Sequence, residues 1–98
     1  MAQYKLTPEA KADLEEIAFT SERQFGQAQR LKYIRGLQEK VQQLAARPNI
    51  GRNQDKYFEG LKSGHYLSHI LYYVEQSEGI VIVRILHKRM DAQNHLSS

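Results

Sequence analysis

The chain has 98 residues and no cysteine, and its 14 lysines and arginines against 11 aspartates and glutamates give a net charge of +3. This length suits one domain with one modest core, and the missing cysteines exclude disulfides and thiolate metal ligands. Because no apolar run approaches the roughly 20 residues of a membrane span and the first residues lack a signal-peptide pattern, we expect one soluble, cytoplasmic domain over residues 1–98, without membrane contact, metal or other cofactor.

The first half of the chain predicts a short strand followed by two helices. Residues 4–6 form an extended start, after which Thr7 is a suitable helix cap and Pro8 suits the first helical turn. Apolar residues then recur at intervals of three and four up to Gly26, where the first helix is expected to end, and again over residues 27–47. The two helices are expected to form an antiparallel hairpin that packs on a sheet.

The second half of the chain predicts most of the sheet. Residues 48–65 are rich in turn formers and charge, which indicates a loop with at most one short strand. Residues 66–74 and 80–86 are typical of two antiparallel strands joined by a turn at residues 76–79. The last strand is dominated by β-branched residues, so it is expected to be central. The predicted fold class is α+β, with a short N-terminal strand and a helical hairpin packed on a small, mainly antiparallel β-sheet.

Seven short motifs follow one another along nearly the whole chain. They are Leu6-Thr7-Pro8-Glu9-Ala10, Asp13-Leu14, Phe25-Gly26, Leu44-Ala45-Ala46-Arg47-Pro48, Gly51-Arg52, Gly60-Leu61-Lys62 and Arg84-Ile85-Leu86-His87-Lys88-Arg89-Met90-Asp91. Together, and above all through the last motif, the chain resembles a ParE-type toxin of the RelE/ParE superfamily, which belongs to bacterial type II toxin–antitoxin modules. The resemblance implies the RelE/ParE-like version of the α+β fold.

The resemblance also implies a function and its partners. A ParE-type toxin inhibits or poisons DNA gyrase, which blocks replication and growth, and it is neutralised by direct binding of a cognate ParD-type antitoxin. Operator DNA is contacted only indirectly, through the antitoxin complex, and no small-molecule substrate is implied. On this interpretation the chain is not an enzyme and has no catalytic residue.

The C-terminal motif supplies the surface that the resemblance associates with toxicity. The expected target surface consists of His87, Lys88, Arg89, Met90 and Asp91, with Arg52 as a further contact. The same segment is equally well explained as a strand end that is fixed by an Arg89–Asp91 pair or by a bond from His87 to the backbone.

An apolar sheet face is the expected binding surface for the antitoxin, because a two-helix layer is too small to cover both faces of the sheet. Leu67, Leu71 and Tyr73, or the residues that alternate with them, are assigned to this face. Arg84 is added because a charge flanked by apolar residues needs an acidic partner, either on the antitoxin or on the first helix.

The alternative function is a ribosome-dependent mRNA endonuclease of the RelE type. That chemistry needs cations beside the phosphate and a group that moves protons. By resemblance to RelE relatives, Arg89 falls near one functional arginine, His69 replaces another, and His95 falls near a tyrosine, so these three would be the catalytic residues. Two of the three positions depart from the RelE pattern, which favours the gyrase interpretation.

Two other kinds of site are disfavoured. His65 and His69 have the spacing of a helical metal site, but they lie in a region that predicts loop and strand. A DNA-binding module would gather basic residues on one helix face, whereas those of the second predicted helix are scattered. These residues are Arg30, Lys32, Arg35 and Lys40.

Overall fold

The computed structural model describes residues 3–96, so the ends of the predicted domain, residues 1–2 and 97–98, lie outside the described residues. The elements are β1 (Gln3–Leu6), α1 (Pro8–Phe25), α2 (Gln27–Ala46), a 3₁₀ turn (Pro48–Ile50), β2 (Arg52–Asn53), β3 (Lys62–Tyr66), β4 (His69–Gln76), β5 (Gly79–His87) and α3 (Ala92–Leu96). The five strands form one sheet in the order β1-β5-β4-β3-β2. Among the strand pairs within residues 3–96, only β1–β5 is parallel, which confirms the α+β class and the mainly antiparallel sheet.

Thr7 starts the first helix and fixes it to the sheet. Its hydroxyl oxygen accepts a hydrogen bond from the amide of Ala10 at 3.1 Å and donates one to the carbonyl of Val83 on β5 at 2.8 Å. Pro8 occupies the first turn, and Gly26, with φ at 91°, ends α1 and begins α2. The predicted helical hairpin is confirmed. Within residues 3–96, no helix combines the length with the apolar composition that a membrane span requires.

The main core lies between the helical hairpin and one face of the sheet. Its buried side chains are Ala10 and Ile17 from α1, Leu37, Val41, Leu44 and Ala45 from α2, and Leu71, Tyr73, Ile80, Ile82 and Ile85 from the sheet. Gly64 on β3 permits the close approach of α2, because a Cβ there would lie 2.8 Å from Cδ1 of Leu44. β5 pairs with both β1 and β4, so its predicted internal position is confirmed.

The second face of the sheet carries a smaller core. Leu61, Tyr72 and Leu86 are buried there, and the cover comes from Tyr57 in the loop before β3 and from α3. The ring of Tyr57 contacts that of Tyr72 edge to face, with the centroids 6.2 Å apart. This cover was not predicted, since the loop and the five-residue helix lack a long apolar period.

The prediction for residues 66–74 as one strand was wrong at its start. Tyr66 belongs to β3, and a two-residue turn at Leu67 and Ser68 joins β3 to β4. Most of β3, together with β2, lies in the segment 48–65 that was predicted as a loop with at most one short strand.

The placement of Leu71 and Tyr73 on an uncovered sheet face was also wrong. Both side chains are fully buried beneath the helical hairpin, and the Tyr73 hydroxyl donates a hydrogen bond to the carbonyl of Pro48 at 2.7 Å. The uncovered-face assignment failed because β4 is apolar on both faces, so its sequence does not show which side chains face the helices. Of the three apolar residues assigned to that face, only Leu67 is exposed.

Candidate functional site

A cavity of about 720 Å³ opens between the helical hairpin and the ends of β4 and β5. Its walls come from α1, from the first half of α2, from the turn between β3 and β4, and from the end of β5. Ile17 and Ile85 contribute both to this lining and to the main core, so the cavity is continuous with the packed interior. We refer to it as the hairpin–sheet cavity, and its volume lies in the range of ligand-binding clefts.

Three large apolar side chains of the cavity lining remain exposed to solvent. Phe25 at the end of α1 is 67% exposed, Leu67 in the β3–β4 turn is 69% exposed, and Met90 after β5 is 41% exposed. Apolar side chains gathered around one concavity, and left open to water, are typical of a surface that binds another molecule.

Leu67 occupies a backbone conformation that leucine rarely adopts. Its φ is 50°, and it is the one residue other than glycine with a positive φ within residues 3–96. A Cβ is crowded against the backbone in this region, and glycine relieves that crowding. The turn therefore presents an exposed leucine at the mouth of the cavity together with local strain, a combination typical of functional sites.

Tyr33, His69 and His87 form a polar cluster in the cavity lining. The Tyr33 hydroxyl lies 2.6 Å from Nδ1 of His69 and donates to the carbonyl oxygen of Tyr66 at 3.4 Å. His69 and His87 face each other across β4 and β5, with their ring centroids 5.3 Å apart. Burial, and to a smaller extent the neighbouring His87, lowers the pKa of His69 to about 4. Burial raises the pKa of Tyr33. Both groups are therefore neutral at pH 7.

Arg84 has an acidic partner on the first helix, one of the two partners that were expected. Its Nε and Nη2 donate to the Asp13 carboxylate at 2.8 and 2.9 Å, and the hydrogen bond raises the pKa of Arg84. The same carboxylate accepts a hydrogen bond from the backbone amide of Ile85 at 2.9 Å. Asp13 also lines the hairpin–sheet cavity, so this contact fixes one of its walls. Binding of the antitoxin by Arg84 stays a prediction.

The C-terminal segment forms a tight turn that is tied to the end of β5. Nδ1 of His87 accepts a hydrogen bond from the amide of Arg89 at 3.1 Å, and the His87 carbonyl accepts one from the amide of Met90 at 2.9 Å. The predicted bond from His87 to the backbone is thereby confirmed, whereas no ion pair within residues 3–96 joins Arg89 to Asp91. Lys88, Arg89, Met90 and Asp91 are all exposed.

Arg52 does not belong to that turn. It is exposed on β2, at the edge of the sheet opposite β1. Arg52 pairs with Ser63, which pairs with Tyr72, which in turn pairs with Arg84. Three strand spacings therefore separate Arg52 from Arg84, which is about 14 Å. The structure brings residues 87–91 together but leaves Arg52 apart from them.

The three residues of the nuclease alternative are not assembled around one point. His69 lies in the hairpin–sheet cavity, whereas His95 belongs to α3, whose Ala92 and Leu96 pack on the opposite face of the sheet. Among residues 3–96, no group of three metal-ligating side chains is close enough to hold an ion.

Phe25 and Tyr33 were not predicted as site residues. Phe25 follows the apolar period of α1 but lies beyond the core, and Tyr33 is 36 residues from its partner His69. The useful signal for Phe25 is its position directly before the helix-ending Gly26, where the hairpin no longer covers the sheet.

The fold has a counterpart among solved structures. A chain of the structure described as "Chromosomal ParDE TA system from P. aeruginosa" matches with a TM-score of 0.72, covering 89% of this chain and 96% of that chain at 23% identity. The helical hairpin on a mixed sheet is therefore a fold that this chain shares with a chain of that structure.

Sequence comparison identifies the family. The family model described as ParE toxin of type II toxin-antitoxin system, parDE, matches residues 4–92. Toxin ParE1 of Mycobacterium tuberculosis strain H37Rv is 38% identical over 96 residues, which cover 97% of this chain and 98% of that protein. Toxin ParE of Escherichia coli is 33% identical over 98 residues, which cover 99% and 95%. The chain belongs to the ParE toxin family, which confirms the resemblance found in the sequence.

Proposed function

We propose that this chain acts in the cytoplasm as a toxin that inhibits or poisons DNA gyrase, and that a ParD-type antitoxin silences it by docking in the hairpin–sheet cavity. In this proposal the toxin binds its target and carries out no chemistry of its own. Operator DNA is contacted only through the antitoxin complex.

The observation that carries the antitoxin part is the exposure of Phe25, Leu67 and Met90 around one cavity. A partner that covers these three side chains removes from water the apolar surface that the free chain leaves open, and such burial is the main favourable term in association. Membership of a family defined by type II toxin–antitoxin systems supports an antitoxin as that partner.

The gyrase part of the proposal rests on the family and on the turn after β5. Lys88 and Arg89 are exposed there and do not line the hairpin–sheet cavity, although Met90 does. The backbone of the turn is fixed by bonds to His87 and Ser68, so both cations are presented on a defined surface. We assign the contact with gyrase to residues 87–91 and keep Arg52 as a separate, weaker candidate.

A supercoiling assay tests the proposal. The purified chain is incubated with gyrase, ATP and relaxed or supercoiled plasmid, and the products are examined after detergent and protease treatment. Lost supercoiling or linear DNA, both prevented by prior addition of the antitoxin, is the expected result. A folded, growth-inhibiting chain that leaves gyrase unaffected would overturn the gyrase part, and cleavage of ribosome-bound mRNA would then be measured.

The antitoxin part has its own measurement. A partner that binds only the folded chain raises its stability by about 2.7 kcal/mol when its free concentration is a hundred times the Kd. We therefore expect a clear rise in the melting temperature of the chain on addition of antitoxin. An unchanged melting curve would contradict direct binding.

A further inference from the structure

Two imidazole rings lie side by side among apolar side chains of the hairpin–sheet cavity. His69 and His87 are directly opposite on β4 and β5, and the neighbouring lining includes Leu67, Ile85 and Met90. A neutral imidazole donates through one ring nitrogen and accepts through the other, so the chemistry of this position depends on which nitrogen carries the proton.

The backbone of the C-terminal turn fixes the proton of His87. The amide of Arg89 donates to Nδ1 of His87 at 3.1 Å, so this nitrogen is an acceptor and carries no proton. The proton of the neutral ring is therefore on Nε2, and Nε2 of His87 is a hydrogen-bond donor.

The hydroxyl of Tyr33 contacts both the His69 ring and the backbone of Tyr66, and these contacts favour the opposite tautomer for His69. The single hydroxyl proton of Tyr33 is donated to the carbonyl of Tyr66, while the same oxygen lies 2.6 Å from Nδ1 of His69. Both contacts are satisfied when Nδ1 of His69 carries the proton and donates it to the Tyr33 oxygen. Nε2 of His69 is then a free acceptor.

Both Nε2 atoms are accessible. Neither has a hydrogen-bond partner within residues 3–96, and no side-chain nitrogen or oxygen in this part of the chain is both buried and unpartnered. With these tautomers, a molecule that fills the cavity meets one donor and one acceptor, on two rings whose centroids are 5.3 Å apart.

The occupant of the cavity must satisfy both nitrogens or leave them buried without partners. An unsatisfied buried polar group costs about 1–3 kcal/mol, so a purely apolar segment binds less well here. A carboxylate has no proton to donate to His69, and an ammonium group has no lone pair for His87. A carboxamide or a hydroxyl both donates and accepts.

We propose that His69 and His87 form a specificity-determining position in the cavity, which selects a neutral side chain, carboxamide or hydroxyl, within the apolar antitoxin segment that docks there. This inference rests on the proposed function, because it takes the ParD-type antitoxin as the occupant. It adds a chemical requirement that apolar burial around the cavity rim does not impose.

Asparagine and glutamine variants separate the two nitrogens of each ring. His69→Asn keeps a donor for Tyr33 but loses the group at Nε2, and His87→Asn keeps an acceptor for the Arg89 amide but loses its Nε2 donor. Glutamine at either position reaches to where Nε2 stood. His65→Asn is the matched control, because His65 is exposed on β3 and does not line the cavity.

Antitoxin affinity is measured for each variant, with thermal melting as the check that each is folded. We expect His69→Asn and His87→Asn to weaken binding about tenfold or more, the glutamine variants to recover most of the loss, and His65→Asn to bind like the unaltered chain. Each asparagine, glutamine, serine and threonine of the antitoxin is then replaced singly by alanine. For one of these antitoxin variants, the alanine substitution should cost less affinity with His69→Asn than with the unaltered chain. Whether the replaced residue was an asparagine or glutamine, or a serine or threonine, then distinguishes a carboxamide from a hydroxyl.

The outcomes separate this inference from the proposed function. If the antitoxin binds the unaltered chain tightly and binds both asparagine variants equally well, the specificity position is wrong and the antitoxin site stands. Coupling of His69 to an acidic or basic antitoxin residue would also overturn it. If the antitoxin does not bind the unaltered chain, the proposed function fails and this inference fails with it.

Discussion

Asp13 on α1 holds Arg84 on β5 through two hydrogen bonds, 2.8 Å from Nε to Oδ2 and 2.9 Å from Nη2 to Oδ1. The Asp13 side chain is only 14% exposed and the Arg84 side chain 22% exposed, so water screens the charges of the pair poorly. The contact fixes the helical hairpin to the sheet beside the hairpin–sheet cavity.

Replacing Asp13 by Ala should lower the free energy of unfolding by about 2–3 kcal/mol, because Arg84 and the amide of Ile85 lose their partner while they stay partly buried. Urea unfolding measures this change. Glu15→Ala, an exposed carboxylate on the same helix, is the matched control and should change stability little. Equal stabilities of the two variants would show that the pair does not hold the helix to the sheet.

The apolar rim of the cavity should carry much of the antitoxin affinity. Phe25→Ala and Leu67→Gly are each expected to weaken antitoxin binding at least tenfold, as buried apolar anchors commonly do. Phe19→Ala removes a side chain that is 57% exposed on α1 but lies outside the cavity lining, so affinity should be retained. Because glycine also relieves the strain at φ 50°, Leu67→Gly should melt no lower than the unaltered chain. A rim variant with unchanged affinity would remove that side chain from the interface.

Acid should destabilise the free chain through His69. Its pKa falls from 6.5 to about 4 on folding, so between these values the unfolded chain binds a proton that the folded chain does not. This contribution to stability is fully present above pH 6.5 and is lost progressively as the pH falls to 4. The shift corresponds to roughly 3 kcal/mol, which partial solvent exposure reduces to about 1–2 kcal/mol.

Urea unfolding at pH 7 and pH 4.5 measures the loss. His69→Asn should reduce the difference between the two pH values, whereas the exposed His65→Asn should leave it unchanged. The same pH dependence in His69→Asn and in the unaltered chain would place the proton uptake elsewhere.

Several elements of the fold were predictable because the residues that determine them are neighbours in the sequence. Thr7 and Pro8 carry the chemistry that begins a helix, Gly26 carries the chemistry that ends one, and the β-branched run of β5 indicates an internal strand. The β3–β4 hairpin lacked such a signal. Leucine and serine at residues 67 and 68 are not the residues that a two-residue turn normally requires, so the segment resembled the start of one strand.

The two faces of β4 were not predictable for a different reason. Residues 70–74 are all apolar, so the alternation of polar and apolar residues that assigns side chains to the two faces is absent. The cavity was missed because its walls come from both helices and two turns. The basic C-terminal turn was found in sequence because residues 87–91 are contiguous, although their role in toxicity stays a prediction.

Toxicity and antitoxin binding should be separable by mutation. Replacing both Lys88 and Arg89 by Ala should abolish inhibition of gyrase while the melting temperature and antitoxin affinity are kept, since both side chains are exposed and lie outside the cavity lining. Replacing both Lys32 and Arg35 by Ala removes the same charge from the exposed part of α2 and should leave inhibition intact. Undiminished inhibition by the Lys88/Arg89 variant would move the target surface elsewhere.

The most direct test of the account combines its two surfaces in one measurement. The double variant Phe25→Ala, Leu67→Gly is assayed for inhibition of gyrase supercoiling with increasing amounts of antitoxin, beside the unaltered chain. We predict that the variant inhibits gyrase as the unaltered chain does but needs at least tenfold more antitoxin to be silenced. If the same amount of antitoxin silences the variant and the unaltered chain, the cavity is not the antitoxin site. If the unaltered chain does not inhibit gyrase, the toxin mechanism itself is contradicted.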